Sequence, residues 1–245
     1  MTTHPLEALR RMEYPGRVVV LGRDPAGLHD VIVYAVTGRS PSSQARRLER
    51  EGNAVVTKPT DPEILKTGQP DLLVYPAVLF GGRPAVSNGR QTDDVARTEA
   101  DHPVAALAAA LRNWSYEPDP PIYTPRISGL LWPDGRAALS LIKRGFDGSA
   151  RRLFFEFSLH PGRAEMIATY AGPNRNPLPV FEGEPLSLTL VETTAKATAG
   201  VFYEALRPEG RSDDFRVAAA CLFLSRNEPG KPEIALINRH ERTGA

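Results

Sequence analysis

Residues 117–125 hold four prolines, Pro118, Pro120, Pro121 and Pro125, and no helix interior can run through such a stretch. Each proline lacks a backbone N–H, fixes its own φ and pushes the preceding residue toward extended geometry. The segment is therefore a rigid, extended connector, and the signals on its two sides differ. Before it, residues 93–114 space Val95, Val104, Leu107, Ala110 and Leu111 at helical intervals, with a break at Pro103 and an alanine-rich second half. After it, strand signals dominate. Residues 127–132 and 137–142 flank the turn Trp132, Pro133, Asp134, Gly135, Arg136, which predicts a hairpin, and 152–159 alternate before a further strand at 166–170.

Short β-branched runs also open the chain. Residues 18–21, stopped by Gly22, and 31–36 are separated by Asp24, Pro25, Ala26 and Gly27, a second hairpin signal. Residues 54–56 and 72–80 read as strands, the latter followed by a turn at Gly81, Gly82 and Arg83. Residues 193–206 place Ala197, Val201, Phe202 and Ala205 on one helical face, and 217–224 and 234–237 are closing strands. Many strands with a few helices held apart in sequence predict an α+β layered sandwich, not an alternating parallel sheet. A chain of 245 residues can be one domain, placed at 17–245. Residues 1–16, with two prolines and a short amphipathic piece (Leu6, Leu9, Met12), read as an N-terminal arm.

Composition narrows the function classes. With 30 Lys and Arg against 29 Asp and Glu, the net charge of +1 gives no global field to recruit a nucleic-acid backbone, so any anion site must be local. Cys221, the one cysteine, lies in the apolar run 217–224 and reads as a small buried hydrophobe. The N-terminus carries no apolar stretch of signal-peptide length, and no run approaches the ~20 residues that span a bilayer. A cytoplasmic protein with no membrane or nucleic-acid partner is the expectation. A Gly-rich phosphate loop, a Gly-x-Ser-x-Gly elbow and a Cys/His set at metal-ligand spacing are all missing. His4, His29, His102, His160 and His240 are scattered singly, so no metal is expected.

Polar residues gather instead where strands end. The run from Gly38 through Arg39, Ser40, Pro41, Ser42, Ser43, Gln44 and Ala45 to Arg46 sets small hydroxyls between two arginines, a composition suited to a phosphate, though an exposed basic loop would look the same. Ser87, Asn88, Gly89, Arg90, Gln91, Thr92 and Asp93 form a tight-turn signal whose amides could face a ligand or simply close a hairpin. In the proline segment, Tyr116 and Glu117 precede Asp119, and Tyr123, Thr124 and Arg126 follow it. Rigid presentation of one carboxylate is what a general base requires.

These clusters, in this order, resemble the archaeal-type IMP cyclohydrolase family. The arginine-serine loop, the Ser-Asn-Gly turn with its following Thr92 and Asp93, the pair Tyr116 and Glu117, and the element Thr124, Pro125, Arg126, Ile127 are all similar to the family's, as is the strand tyrosine Tyr75. Thr169, Tyr170, Ala171 and Gly172, then Asn176, Pro177, Leu178 and Pro179, resemble its bacterial branch. Pro118 stands where the family has lysine, and Gln91 where it has histidine.

The resemblance implies a four-layer αββα sandwich like the N-terminal-nucleophile hydrolases, without their autoprocessing; Thr2 lies on the arm, well before the first strand where those enzymes place a nucleophile. It implies a homo-oligomer that takes a small purine ribotide, with no cofactor and no metal. The reaction is closure of 5-formamidoimidazole-4-carboxamide ribotide to IMP with loss of water, a step of de novo purine biosynthesis. Glu117, Tyr75 and Arg46 are the implied catalytic residues, with Glu117 handling amide and water protons and Tyr75 the formyl oxygen. Arg39, Ser40, Ser43 and again Arg46 are candidates for the phosphate or ribose. Asn88 and Gly89 would orient the base, Thr124 would line the site, and Arg126 would either touch phosphate or orient Glu117. Two other readings remain open: a purine-nucleotide-binding protein of this fold without turnover, and another amide hydrolase of the fold.

Overall fold

A computed structural model describes residues 6–63, 73–210, 213–228 and 230–242. Thr2 and His4, and the start of the strand expected at residue 72, lie outside the described residues. The chain opens with a short helix α1 (Glu7–Arg10) and the hairpin β1 (Arg17–Arg23) and β2 (His29–Thr37). It then crosses over, through the one-turn helix α2 (Pro41–Gln44), to build an entire second sheet. That sheet is an antiparallel meander of seven strands in chain order: β3 (Arg46–Glu51), β4 (Ala54–Pro59), β5 (Tyr75–Leu79), β6 (Ala85–Ser87), β7 (Arg126–Leu131), β8 (Arg136–Arg144) and β9 (Ala150–Ser158). Helices α3 (Gln91–Arg97) and α4 (Pro103–Ala110) sit between β6 and β7. The chain then returns to the first sheet: β10 (Arg163–Ala168) pairs with β1 and carries β11 (Leu186–Thr189), and after helix α5 (Ala195–Ala205), β12 (Arg216–Ser225) pairs with β2 and carries β13 (Glu233–Asn238). Helix α6 (Arg239–Arg242) follows.

Side chains of a strand alternate between its two faces, and here each face has its own layer to fill. On β8, Ala137, Leu139 and Leu141 join the core between the sheets, together with Leu21 and Tyr34 of the first sheet. Ala138 and Ile142 point the other way and pack with Val95, Ala106, Leu107 and Leu111 of the α3–α4 region. On β12, Ala220 pairs with Tyr34 in register, while the adjacent Cys221 meets Thr198 of α5. Burial pushes the Cys221 thiol well above its ordinary range, so it behaves as the small apolar residue expected. The result is α+β, two antiparallel sheets with few helices. Each fully buried leucine or isoleucine contributes about 1.5–3 kcal/mol relative to an exposed one.

Strand β3 and the packing of residues 6–16 differ from the sequence reading. Strand β3, with the sequence RRLERE, carries no apolar alternation beyond Leu48, yet it pairs along its length with β4 as the edge of the second sheet. Its charges are those of an edge: Arg47 pairs with Glu49, and Lys58 of β4 reaches both Glu49 and Glu51. The break expected at Pro103 is present: α3 ends before it, and Pro103 starts α4 with the extended His102 as its cap. Residues 6–16 do not stand off the body: Leu6, Leu9 and Met12 are buried in the same core as the strands.

Candidate functional site

Where β1, β2, β3 and β5 begin or end together, the two sheets bring four polar side chains into the layer between them. Tyr34 comes from β2 and Tyr75 opens β5, and their hydroxyl oxygens are 2.8 Å apart across the sandwich. Arg17 opens β1; because Val19 is opposite Tyr34, Arg17 shares that inward face one step along the strand. Arg46 opens β3. Arg17 donates to the Thr37 carbonyl at 3.2 Å, but its Nε, and both Nε and Nη1 of Arg46, are buried with no hydrogen-bond partner among the described residues. Burial and the neighbouring Arg17 pull Arg46 below the usual guanidinium range, against Tyr75, Tyr34 and Glu117. Burial acts the same way on Arg17, but there the hydroxyls of Tyr75, Tyr34 and Tyr14 outweigh it and strengthen its hold on its proton. Buried donors of this kind are costly unless an anion meets them.

The carboxylate arrives on the proline segment, which closes on itself. The Glu117 amide donates to the Thr124 carbonyl at 2.8 Å, and the Asp119 carboxylate accepts from the Thr124 amide at 2.7 Å and hydroxyl at 2.6 Å. Glu117 is thereby held in the interior. Burial lifts its carboxyl from 4.5 to about 7, against the pull of Arg126, Arg17 and Arg46. A group at that value can both take and return a proton near neutrality.

Asn88 and Arg126 fix where that carboxylate points. The Asn88 side-chain oxygen accepts from the Ile127 amide at 2.8 Å and from Gln91 at 3.1 Å, while its nitrogen donates to the Pro125 carbonyl at 2.9 Å and lies 3.4 Å from Glu117 Oε1. Arg126 donates to the Ser115 carbonyl at 2.9 Å and to Gln91 at 3.1 Å, stacks over Trp114 at 5.0 Å, and keeps Nη1 3.8 Å from Glu117 Oε1. Burial lowers the Arg126 pKa, with Glu117 opposing the shift. Gln91 thus ties Asn88 to Arg126. Gly89 makes the approach possible: a Cβ there would lie 2.5 Å from both Arg126 Nη1 and Gln91 Oε1.

An aromatic rim adjoins this set. The Thr124 hydroxyl meets the Tyr170 hydroxyl at 2.9 Å, Tyr170 stacks on Tyr14 at 5.8 Å, and Arg39 lies 5.2 Å over the Tyr14 ring while donating to Asn174 and Asn176 at 3.0 and 3.3 Å. Arg46, Tyr75, Asn88, Gly89, Glu117, Thr124 and Arg126 therefore come together, and Arg39 is joined to them through Tyr14. Ser40 and Ser43 do not join them by hydrogen bonds: their hydroxyls, 3.0 Å apart, close the capping box of α2. Arg17, Tyr34 and Tyr14 escaped the sequence reading. The signal that could have found two of them is a charged or hydroxyl-bearing residue on the inward face of an otherwise apolar strand. Among the described residues no three His, Cys, Asp or Glu side chains converge as a metal site, and no helix is long and apolar enough to cross a membrane.

A family model described as "IMP cyclohydrolase-like protein" matches residues 14–223. Two curated proteins named IMP cyclohydrolase, from Halobacterium salinarum strains ATCC 29341 / DSM 671 / R1 and ATCC 700922 / JCM 11081 / NRC-1, are each 33% identical over 132 residues. That alignment covers 53% of this chain and 63% of each relative, so it spans less than two thirds of their length.

Proposed function

Because the chain belongs to the IMP cyclohydrolase-like family, we propose that it closes 5-formamidoimidazole-4-carboxamide ribotide to IMP with release of water. The observation that carries the proposal is one buried carboxyl, poised at about 7, beside two buried guanidinium groups with N–H donors unpartnered among the described residues. The reacting amide and formyl groups already share one molecule, so holding them in attacking geometry removes much of the barrier. Glu117 takes a proton from the carboxamide nitrogen as that nitrogen bonds to the formyl carbon. Tyr75 gives its proton to the formyl oxygen, which becomes a hydroxyl. Glu117 then returns its proton to that hydroxyl, the C–O bond breaks and water leaves; the former formamide nitrogen gives its proton to the Tyr75 oxygen as the C=N bond forms. Donors already in place around the developing oxyanion act without reorganising.

In this reading Arg46 and Arg17 meet negative charge of the ribotide or the transition state, and Arg39 waits at the rim. Arg126, with its donors engaged by Ser115 and Gln91, supports the orienting role over the phosphate contact. Helix α5 against β12 and β13, and α3 and α4 against the second sheet, are the contacts that favour a four-layer arrangement like that of the N-terminal-nucleophile hydrolases. A homo-oligomer in the cytoplasm, each copy one domain at 17–245 against which residues 6–16 pack, completes the reading.

The test is to supply the formamido ribotide and follow absorbance. Formation of the purine ring with wild-type protein, and its loss with Glu117→Gln, are the expected results. Nucleotide binding without any absorbance change would leave only the binding protein, and full activity in Glu117→Gln would remove the proposed base.

A further inference from the structure

Tyr34 lies on the first sheet, across the sandwich from Tyr75 on the second, and it is fully buried. Its hydroxyl oxygen is 2.8 Å from that of Tyr75, so one proton lies between the two oxygens. Resting on the role given to Tyr75 above, we infer that Tyr34 is a positioning residue that donates this proton to Tyr75 and so leaves the Tyr75 proton free to point at the ligand.

Hydrogen-bond accounting sets the direction. Tyr75 is the one hydrogen-bond partner of the Tyr34 side chain among the described residues. If Tyr75 donated, the Tyr34 proton would be left buried with nothing to accept it, which native interiors avoid. If Tyr34 donates, the proton left over is that of Tyr75, which the formyl oxygen of the ligand accepts in the role given above. The Arg17 guanidinium can only donate, and its charge faces both tyrosine oxygens. The Tyr34 hydroxyl and the Arg17 charge then both act on the Tyr75 oxygen from the first sheet. They stabilise the charge that oxygen carries after its proton passes to the formyl oxygen and before the formamide nitrogen restores it. Burial and the adjoining Tyr75 hold the Tyr34 hydroxyl itself well above the usual phenol range, which keeps it a donor throughout.

Tyr34→Phe tests this, because it removes the hydroxyl and keeps the ring in the core. The expected kinetics are a roughly tenfold lower kcat with KM within about twofold, since the lost interaction strengthens only as charge develops on Tyr75. In a Tyr75→Phe background the same change should have no further effect, because Tyr34 acts through the hydroxyl already gone. Wild-type kcat in Tyr34→Phe, or an equal loss in both backgrounds, would overturn the inference. NMR of protein carrying tyrosine labelled at Cζ gives a readout that needs no substrate. The resonance that Tyr75→Phe removes should move in Tyr34→Phe; an unmoved resonance would overturn the inference even if the wild-type protein failed to turn over the ribotide, a failure that would count against the proposed function instead.

Discussion

The two sides of the cleft are built on opposite principles. On the side of Asn88, Gln91 and Arg126, nearly every polar atom is spent: Asn88 makes contacts through both ends of its amide, and Arg126 is bonded, stacked and beside Glu117. On the side of Arg17 and Arg46, three guanidinium nitrogens lie buried without a hydrogen-bond partner among the described residues. A saturated network holds geometry, and an unsaturated one waits for charge. The difference fits the proposed function, in which the first side orients Glu117 while the second side binds.

Substitutions on the two sides should therefore fail in different ways. Glu117→Gln, at the junction, should lower kcat by about 10²–10⁴. The same change should raise stability at alkaline pH. Glu117 titrates at about 7 in the folded chain but near 4.5 when unfolded, so between these values the folded state holds the extra proton and stability falls as pH rises. Glutamine escapes that loss, a gain of about 3 kcal/mol well above pH 7, read from denaturant midpoints at pH ~5 and ~9. No pH-dependent gain would mean that Glu117 is solvated.

Arg46→Leu should weaken IMP binding roughly 10–100-fold, the loss of charge-assisted hydrogen bonds, with little or no cost to the fold of the free protein. Calorimetric titration and thermal melting separate the two effects. Strong destabilisation with unchanged binding would place Arg46 among the structural residues and erase the contrast. Gly89→Ala should do the reverse, lowering kcat about tenfold with IMP affinity within a few-fold, because the new methyl group displaces Arg126 and Gln91.

Two smaller effects sharpen the boundary. In the proposed function ionised Glu117 is the base, so kcat should rise with pH through about 7. Arg126 favours the ionised form, so Arg126→Gln should move that limb upward, on the order of one pH unit, in a kcat–pH profile. Ser40→Ala should cost about 1 kcal/mol of stability through the lost cap and leave IMP affinity unchanged. A tenfold weaker affinity would instead make the arginine-serine loop a second binding element.

Much of this layout can be read before folding. The strands carry their alternation, the prolines around Glu117 announce a fixed backbone, and the clusters at 38–46, 87–93 and 116–126 mark the polar ends of elements. Arg126 could be read two ways, because its neighbours Ser115, Gln91 and Trp114 are distant or ambiguous in sequence. Strand β3 was hidden because an edge strand needs only one buried row, and here Leu48 and Arg46 supply it.

Local periodicity and residue chemistry by themselves determined the strand-rich layered fold and the polar clusters that hold Asn88 and Glu117, while Tyr75 enters only through the family resemblance. Only the tertiary structure decided that Arg17 and Tyr34 belong with them, that Arg126 is engaged beside Glu117, and that the Ser40 and Ser43 hydroxyls face each other. The reason is that periodicity reports which way a side chain points relative to its own element. The hydrogen bond between Tyr34 and Tyr75 joins two sheets, and which strands face each other is a property of packing.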